Sequence, residues 1–328
     1  MISGSIQSDS SQTAEVFVAG LATVDLIARP VELGESILPG RLVPIERVEM
    51  ATGGFVCNVS RALAKLGVRV AASATIGGDA TGRFVRSELQ AAGVDVAAIN
   101  QSSVLTTPTT VVLVDQSGER SFLFAAGAGA QLDVEETLRR AAEHPSLRWL
   151  LFGYYSLFPE VDAQLVELFR GAKRMGLKTA LDSAGHGGGL HPLCEILPWV
   201  DCYLPSEEEA RGQTGCDDPQ GMIECYRQCG TEGVVGIKQA EKGAIVSLTP
   251  GQMEFVPALA EPSSVVDTTG AGDALLAGFI AGQVRNHSPL ASFRIAAATA
   301  ACCVRGLGAS SGLQSWEATL KLAGFDPH

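Results

Sequence analysis

Positive charge is scarce in this chain: 24 Lys and Arg stand against 36 Asp and Glu, a formal net charge of -12. That balance excludes a protein that holds nucleic acid on a broad basic surface, so an anionic ligand must be met by local dipoles and ions. Charged residues of both signs make up only 18% against 46% hydrophobic, which supplies a large buried core and argues against disorder. Long apolar runs are missing, because charged or helix-breaking residues interrupt every stretch short of the roughly 20 residues a membrane-spanning helix needs. Residues 1–14, rich in Ser, lack the basic start and apolar core of a signal peptide and read as a loose tail ahead of one domain over 15–328. A soluble, cytoplasmic protein with neither nucleic acid nor membrane as partner is expected.

Several motifs are absent as well. No Gly-x-x-x-x-Gly-Lys-Ser/Thr sequence occurs, so phosphate binding would not follow the P-loop pattern. The first strand is not followed by Gly-x-Gly-x-x-Gly, which argues against a dinucleotide-dependent oxidoreductase. The eight cysteines fit neither a disulfide scaffold nor a zinc site. Cys302 and Cys303 are adjacent, and Cys225 and Cys229, though able to share a helix face, lack a second pair of Cys or His. Buried free thiols in a reducing compartment are expected. No repeat of solenoid period is present.

What is present is an alternation of strands and helices. Residues 16–27 (VFVAGLATVDLI) read as a buried first strand ending in a polar turn at Asp25. From Gly53, the apolar residues Val56, Val59, Leu63 and Leu66 recur at helical spacing and stop at Gly67. A strand at 68–76 leads through Gly77-Gly78-Asp79 into a helix ending near Gly93. TTVVLVD, the turn Gln116-Ser117-Gly118 and ERSFLF read as a hairpin. This hairpin, within about 104–126, and the segment at about 29–52 interrupt the alternation and are expected to combine into a small β lid. WLLFG, a helix after Pro159, KTALD, VDCYL, a helix from Ser206, VVGIK and two long Ala-rich helices complete the pattern. The prediction is a doubly wound, mostly parallel sheet flanked by helices, with ligands at the strands' carboxyl ends. Asp25, Gly53, Gly54, Asp182, Ser206, Glu209 and Lys238 fall at or beyond such ends.

Residues 267–273 (DTTGAGD) run straight into the helical stretch ALLAGFIAGQV. Small residues at a helix entrance let a ligand approach unpaired backbone N–H groups, which makes an anion site suited to phosphoryl transfer. Asp273 adds a carboxylate able to accept a hydroxyl proton; the plainer reading is a helix cap or dipole partner. Asp25 can accept hydrogen bonds from two neighbouring hydroxyls, or simply terminate a strand. Lys238 serves either a ligand or the surface. The Gly-rich run 185–189 reads as a flexible connection, with His186 and His191 as exposed loop histidines. Phe55, Phe122 and Phe124 are candidates for the pocket wall or for packing.

GGFVCNVSRALAKLGVRV with IGGDATGRF, GERSF, LPSEEEA, DTTGAGDALLAGF and GLGASSG follow one another in the order of the PfkB, or ribokinase-like, carbohydrate kinases, and from 16 to about 313 the chain resembles that family. The resemblance implies an α/β domain with a β lid that transfers the γ-phosphate of ATP, with magnesium, to a substrate hydroxyl. It assigns Asp273 as the base and Gly270, Ala271 and Gly272 as the anion hole. Asp25, Gly53, Gly54 and Asn58 would hold the sugar, and Ser206, Lys238 and Gly243 the nucleotide. Glu209 would serve magnesium. A monovalent cation such as potassium would be held by backbone oxygens around Asp267, Thr269, Cys303, Gly306 and Gly308, and a homodimer through the lid is implied. Ser206 stands where the family has Asn, and Ala240 where Gly is usual.

The acceptor is expected to be a neutral sugar. Phe55 replaces the lysine of ribokinase-type GGKGAN, so ribose is not the default, and an aromatic there could stack on a base, as in a nucleoside kinase, or pack on a sugar face. A phosphorylated acceptor would need cations from Arg29, Arg41, Arg47 or Arg120. Ser206 and Ala240 favour a third reading, a sugar-sensing relative without turnover.

Overall fold

The computed structural model describes residues 13–32, 40, 42–158, 161–185 and 187–326. The expected tail, up to residue 12, and Arg41 and His186 lie outside them.

Along the chain, β1 (Val16–Gly20) and β2 (Thr23–Arg29) precede β3 (Arg47–Gly53), which runs directly into α1 (Gly54–Lys65). Then come β4 (Val70–Gly77), α2 (Ala80–Ala91), β5 (Ile99–Ser102), β6 (Thr109–Val114), β7 (Arg120–Ala125) and α3 (Val134–Ala141). The second half holds β8 (Trp149–Gly153), α4 (Asp162–Arg174), β9 (Lys178–Leu181), α5 (Leu190–Ile196), β10 (Cys202–Tyr203), α6 (Glu207–Thr214) and α7 (Pro219–Gln228). It closes with β11 (Val234–Lys238), β12 (Gly243–Thr249), β13 (Gln252–Pro257), α8 (Ala271–Val284), α9 (Pro289–Cys303) and α10 (Trp316–Leu322).

Nine strands form one sheet in the order β13-β12-β11-β10-β9-β8-β1-β4-β5, and four form a second in the order β3-β2-β6-β7. From β11 to β5 every pairing of the large sheet is parallel; β12 and β13 add an antiparallel edge. Successive residues of a strand face opposite sides, and β1 shows the result. Val16 and Val18 join the core beneath α1, α8 and α9, whereas Phe17 and Ala19 join the one beneath α4, α5 and α7. α8 and α9 pack on each other along their length, which is why both are apolar all round instead of amphipathic.

The single strand expected over 16–27 is two. The chain leaves the large sheet after Gly20, and Asp25 lies inside β2, in the small sheet, opposite Ala51 and Thr110. Apolar residues run on from β1 through Leu21 and Ala22 into β2, so no local pattern marked the break. Register places Asp25, Thr110, Phe122 and Phe124 on one face of the small sheet, while Val48, Met50 and Leu123 lie on the other and are exposed.

The thiol expectation also needs correction. Cys194, on α5, and Cys229, which caps α7, are joined in a disulfide across a sequence separation of 35. Cys57, Cys202, Cys302 and Cys303 are free and buried as expected, but free Cys216 and Cys225 are only half-buried. Spacing could not reveal the pair because helix packing alone brings α5 to α7. Among the described residues, no helix is long and apolar enough to cross a membrane.

Candidate active site at the carboxyl ends of the strands

The site forms where the small sheet meets the entrance of α8. Gly270 caps this helix in a left-handed conformation, φ 74°, and a Cβ there would stand 2.4 Å from Ala309 Cβ. Only glycine serves both conditions. The turn leaves the amides of Gly270, Gly272 and Asp273 without an acceptor among the described residues, whereas the Ala271 amide bonds to Thr268 O at 3.2 Å. Of the three residues expected to form an anion hole, Gly270 and Gly272 keep open N–H groups and Ala271 does not.

Asp273 follows in the first turn of α8 and is 5% exposed. Its Oδ2 accepts hydrogen bonds from Asn58 Nδ2 at 2.8 Å and from the Tyr154 hydroxyl at 2.9 Å. Oδ1 has no donor among the described residues, so one oxygen is held and the other is open to a proton. Burial raises the pKa of this carboxyl above its ordinary value, against the opposing effects of Asn58, Lys238 and Tyr154. Tyr154, itself raised well above the usual phenol range by burial and by the nearby carboxylates, stays a donor. Sequence reading missed it, since it lies just past β8 in a left-handed conformation, φ 60°, with no motif around it.

Asp25 approaches from β2. Its carboxylate packs on the Cα of Gly53, where a Cβ would fall 2.2 Å from Oδ2, and Thr23 Oγ1 donates to Oδ1 at 2.9 Å. Gly54, φ 76°, then turns β3 into α1, whose second turn carries Asn58 toward Asp273. Burial raises the pKa of Asp25 while Thr23 and Thr110 pull it down. Phe55 is fully buried, in a tilted contact with Tyr154 at 5.9 Å. It belongs to the core, and the expectation that it stacks on a ligand is withdrawn. Phe122 and Phe124, 62% and 39% exposed, share the Asp25 face instead.

Lys238 is no surface charge. At the end of β11 its Nζ donates to Asp182 Oδ2 at 3.3 Å, and it lies close beside Gly272. Burial would lower its pKa, but Asp182, Glu209 and Asp273 outweigh burial and keep it charged. Asp182 is pushed up to about 7, by burial first and by Glu209 and Asp273 in addition, while Lys238 opposes the shift. Ser206 and Glu209 form a capping box at α6: Ser206 Oγ accepts from the Glu209 amide, and Glu209 Oε2 from the Ser206 amide at 2.6 Å. Oε1 of Glu209 has no bond among the described residues. Ala240 takes φ 49°, a conformation that suits glycine, and Gly243 opens β12 with its carbonyl bonded to the Gln239 amide. Gly187, in the run expected to be a flexible connection, is pinned: its carbonyl accepts from Tyr155 and Gln213. His191 is exposed, though on α5 instead of in a loop.

The five residues expected around a monovalent cation do converge. Gly308 N donates to Asp267 Oδ2 at 2.8 Å, and the Cys303 thiol donates to Thr269 O at 3.5 Å and Ala309 O at 3.4 Å. Burial, with Asp273 and Asp267, pushes that thiol up to about 12, so it keeps its proton. Gly306 abuts Gly312 in the same loop. Arg120 of β7 also reaches in, donating to Asp267 Oδ1 at 2.7 Å and to Thr269 Oγ1.

Known proteins resemble the chain over most of its length. The family described as pfkB family carbohydrate kinase matches residues 13–316. A ribokinase of Haemophilus influenzae is 28% identical over 289 residues, 86% of this chain and 90% of its own length. A fructokinase of Salmonella typhimurium is 29% identical over 296 residues, 84% of this chain and 86% of its own. The solved structure of Arabidopsis thaliana ribokinase with ribose and ATP superposes with a TM-score of 0.82 at 24% identity, covering 96% of this chain and all of that one, a likeness of fold. Matched by that family over nearly its whole length and by sugar kinases over most of theirs, the chain belongs to the pfkB carbohydrate kinases and is a phosphotransferase with an alcohol as acceptor.

Proposed function

We propose that the enzyme transfers the γ-phosphate of ATP to a hydroxyl of a neutral sugar or sugar-like acceptor, with Asp273 as general base. The observation that carries this is the half-held carboxylate: Asn58 and Tyr154 fix Oδ2, and Oδ1 stands open in the first turn of α8, the helix whose entrance leaves the amides of Gly270 and Gly272 free. Asp25, Gly53 and Gly54 would hold the sugar from the small sheet, with Asn58 reaching both acceptor and base. As the acceptor oxygen bonds to phosphorus, its proton passes to Asp273 Oδ1 and the bond to the leaving ADP oxygen breaks. The open amides and Lys238 face the charge on the moving group. The small sheet would cover the site and keep water from competing.

The arginines support a neutral acceptor. Arg29 and Arg47 both pair with Glu49, and Arg120 pairs with Asp267, so the described arginines named for a phosphorylated acceptor are engaged elsewhere. With Phe55 in the core, the feature that suggested a nucleoside base is gone.

Ser206, Lys238 and Gly243 would line the nucleotide. Among the described residues no group of three or more His, Cys, Asp or Glu could hold a metal ion. Magnesium is commonly held through substrate phosphates and one or two carboxylates, and Glu209, whose Oε2 is taken by the Ser206 amide, would offer Oε1 as one of them. When bound, magnesium neutralises phosphate charge. The alternative of a sensing relative rests on the Ser206–Glu209 capping box and on Ala240. A screen of sugars and nucleosides for ADP release with magnesium and ATP decides between them. A sugar turned over at a rate far above background ATP hydrolysis is expected, and silence across the panel removes the kinase reading.

The base has a pH signature. A base works deprotonated, and burial raises the pKa of Asp273; turnover is therefore lost, as pH falls, at higher pH than for an ordinary Asp of about 3.9. Tyr154→Phe removes a donor to the charged form, so the acid limb of its pH–rate profile shifts further upward. A limb that stays in place in Tyr154→Phe detaches the hydroxyl from the base.

A further inference from the structure

Arg120 begins β7, opposite Val114 in the small sheet, and its guanidinium leaves that sheet to bind the turn before α8. It bridges Asp267 Oδ1 and Thr269 Oγ1, with its side chain 28% exposed and that of Asp267 5% exposed. Asp267 is already well supplied with donors: the Thr269 amide binds Oδ1 at 2.8 Å and the Gly308 amide binds Oδ2 at 2.8 Å. Burial would raise its pKa, but these amides and the Thr269 and Arg120 side chains outweigh burial and hold it down to about 2. A carboxylate oxygen offers about two lone-pair sites, and on Oδ1 both are taken. An added alkali ion, even on the backbone oxygens expected to hold it, would have no share in that side-chain oxygen and would lie against a fixed positive charge. Potassium therefore does not fit here as the expected extra cation.

We propose that Arg120 is the resident cation of the 267–270 turn. Its guanidinium compensates the buried carboxylate of Asp267 and holds Thr269, so the two residues that lead into Gly270 are fixed without an alkali ion. Because Arg120 belongs to the small sheet, seating that sheet over the acceptor and completing the turn become one event. Arg120 acts through the turn and is a positioning residue. The kinetic consequence rests on the kinase reading, but cation binding does not.

The test measures thermal melting and, with the sugar found by the screen, ADP release, for wild type, Arg120→Ala and Arg120→Lys. Each is run in potassium chloride and in tetramethylammonium chloride at equal ionic strength. Wild type is expected to melt and turn over equally in both salts. Arg120→Ala should lose about tenfold or more in turnover in tetramethylammonium, as for a lost charged hydrogen bond, and potassium should raise both its melting temperature and its rate. Arg120→Lys keeps the charge and should stay insensitive to potassium; it carries the test if the alanine variant does not fold. Potassium that stabilises and activates wild type as much as Arg120→Ala overturns the proposal, because the ion then binds beside the arginine. An alanine variant unchanged in both salts overturns it too. If no substrate is turned over, the kinase reading fails, and melting alone still decides whether the arginine replaces the ion.

Discussion

Replacing Asp273 by Asn is expected to lower turnover by about 10²- to 10⁴-fold, the usual contribution of a positioned general base. The amide keeps the size of the side chain and leaves an oxygen for the Asn58 and Tyr154 donors that now meet Oδ2. What it loses is the capacity to take the acceptor's proton at the open oxygen. Stability should not fall with activity. Burial makes the ionised form of Asp273 costly, as its raised pKa records, so above its ordinary pKa a neutral amide removes a folding penalty. ATP binding should change little, because the amides of Gly270 and Gly272 belong to the backbone. Near-normal turnover in Asp273→Asn, measured on the substrate from the screen, would falsify the base assignment and return the residue to helix capping.

Lys238→Met should damage activity and stability together, and for separable reasons. The ammonium stands beside Gly272, where in the proposed reaction it would face the transferred group, and its loss is expected to reduce turnover by about 10²- to 10³-fold, as for other donors to developing charge. It also compensates Asp182, 3.3 Å away in a pair whose side chains are 16% and 4% exposed. Removing one partner of a buried pair typically costs about 3–5 kcal/mol. Asp182 escapes part of that cost by taking up a proton, since its pKa is already pushed up to about 7. An acid with a raised folded-state pKa destabilises the fold increasingly as pH rises above its unfolded value of about 3.9. The variant's deficit should therefore be small near pH 5 and grow through pH 8. Adding Asp182→Asn should restore stability and flatten its pH dependence without restoring turnover. Denaturant titrations across that range, run beside ADP assays, separate the effects. A double variant that stays as unstable as Lys238→Met would show that the pair is not what Lys238 stabilises.

Periodicity and local motifs determined much of this protein from the sequence. The alternation of strands and helices predicted the doubly wound sheet, because side chains at period two or near 3.6 must meet a core on a known side. Small residues ahead of an apolar helix located the turn at 267–273, since backbone approach is a local property of glycine and alanine. Gly53 and Gly54 were legible for the same reason, and register later gave the cause in Asp25. The tertiary structure decided which side chains answer these local features from far away. Tyr154 meets Asp273 across 119 positions, and Arg120 meets Asp267 across 147. Asp25 was placed on the wrong sheet because two strands joined by apolar residues look like one long strand until their pairing is known. The disulfide and the burial of Phe55 were hidden likewise: a cysteine does not announce its partner's helix, and an aromatic side chain fits a core as well as a ligand. Burial and pairing depend on what the rest of the chain brings to a residue, and that decided which carboxylate is held, which is open and which cation stands beside each.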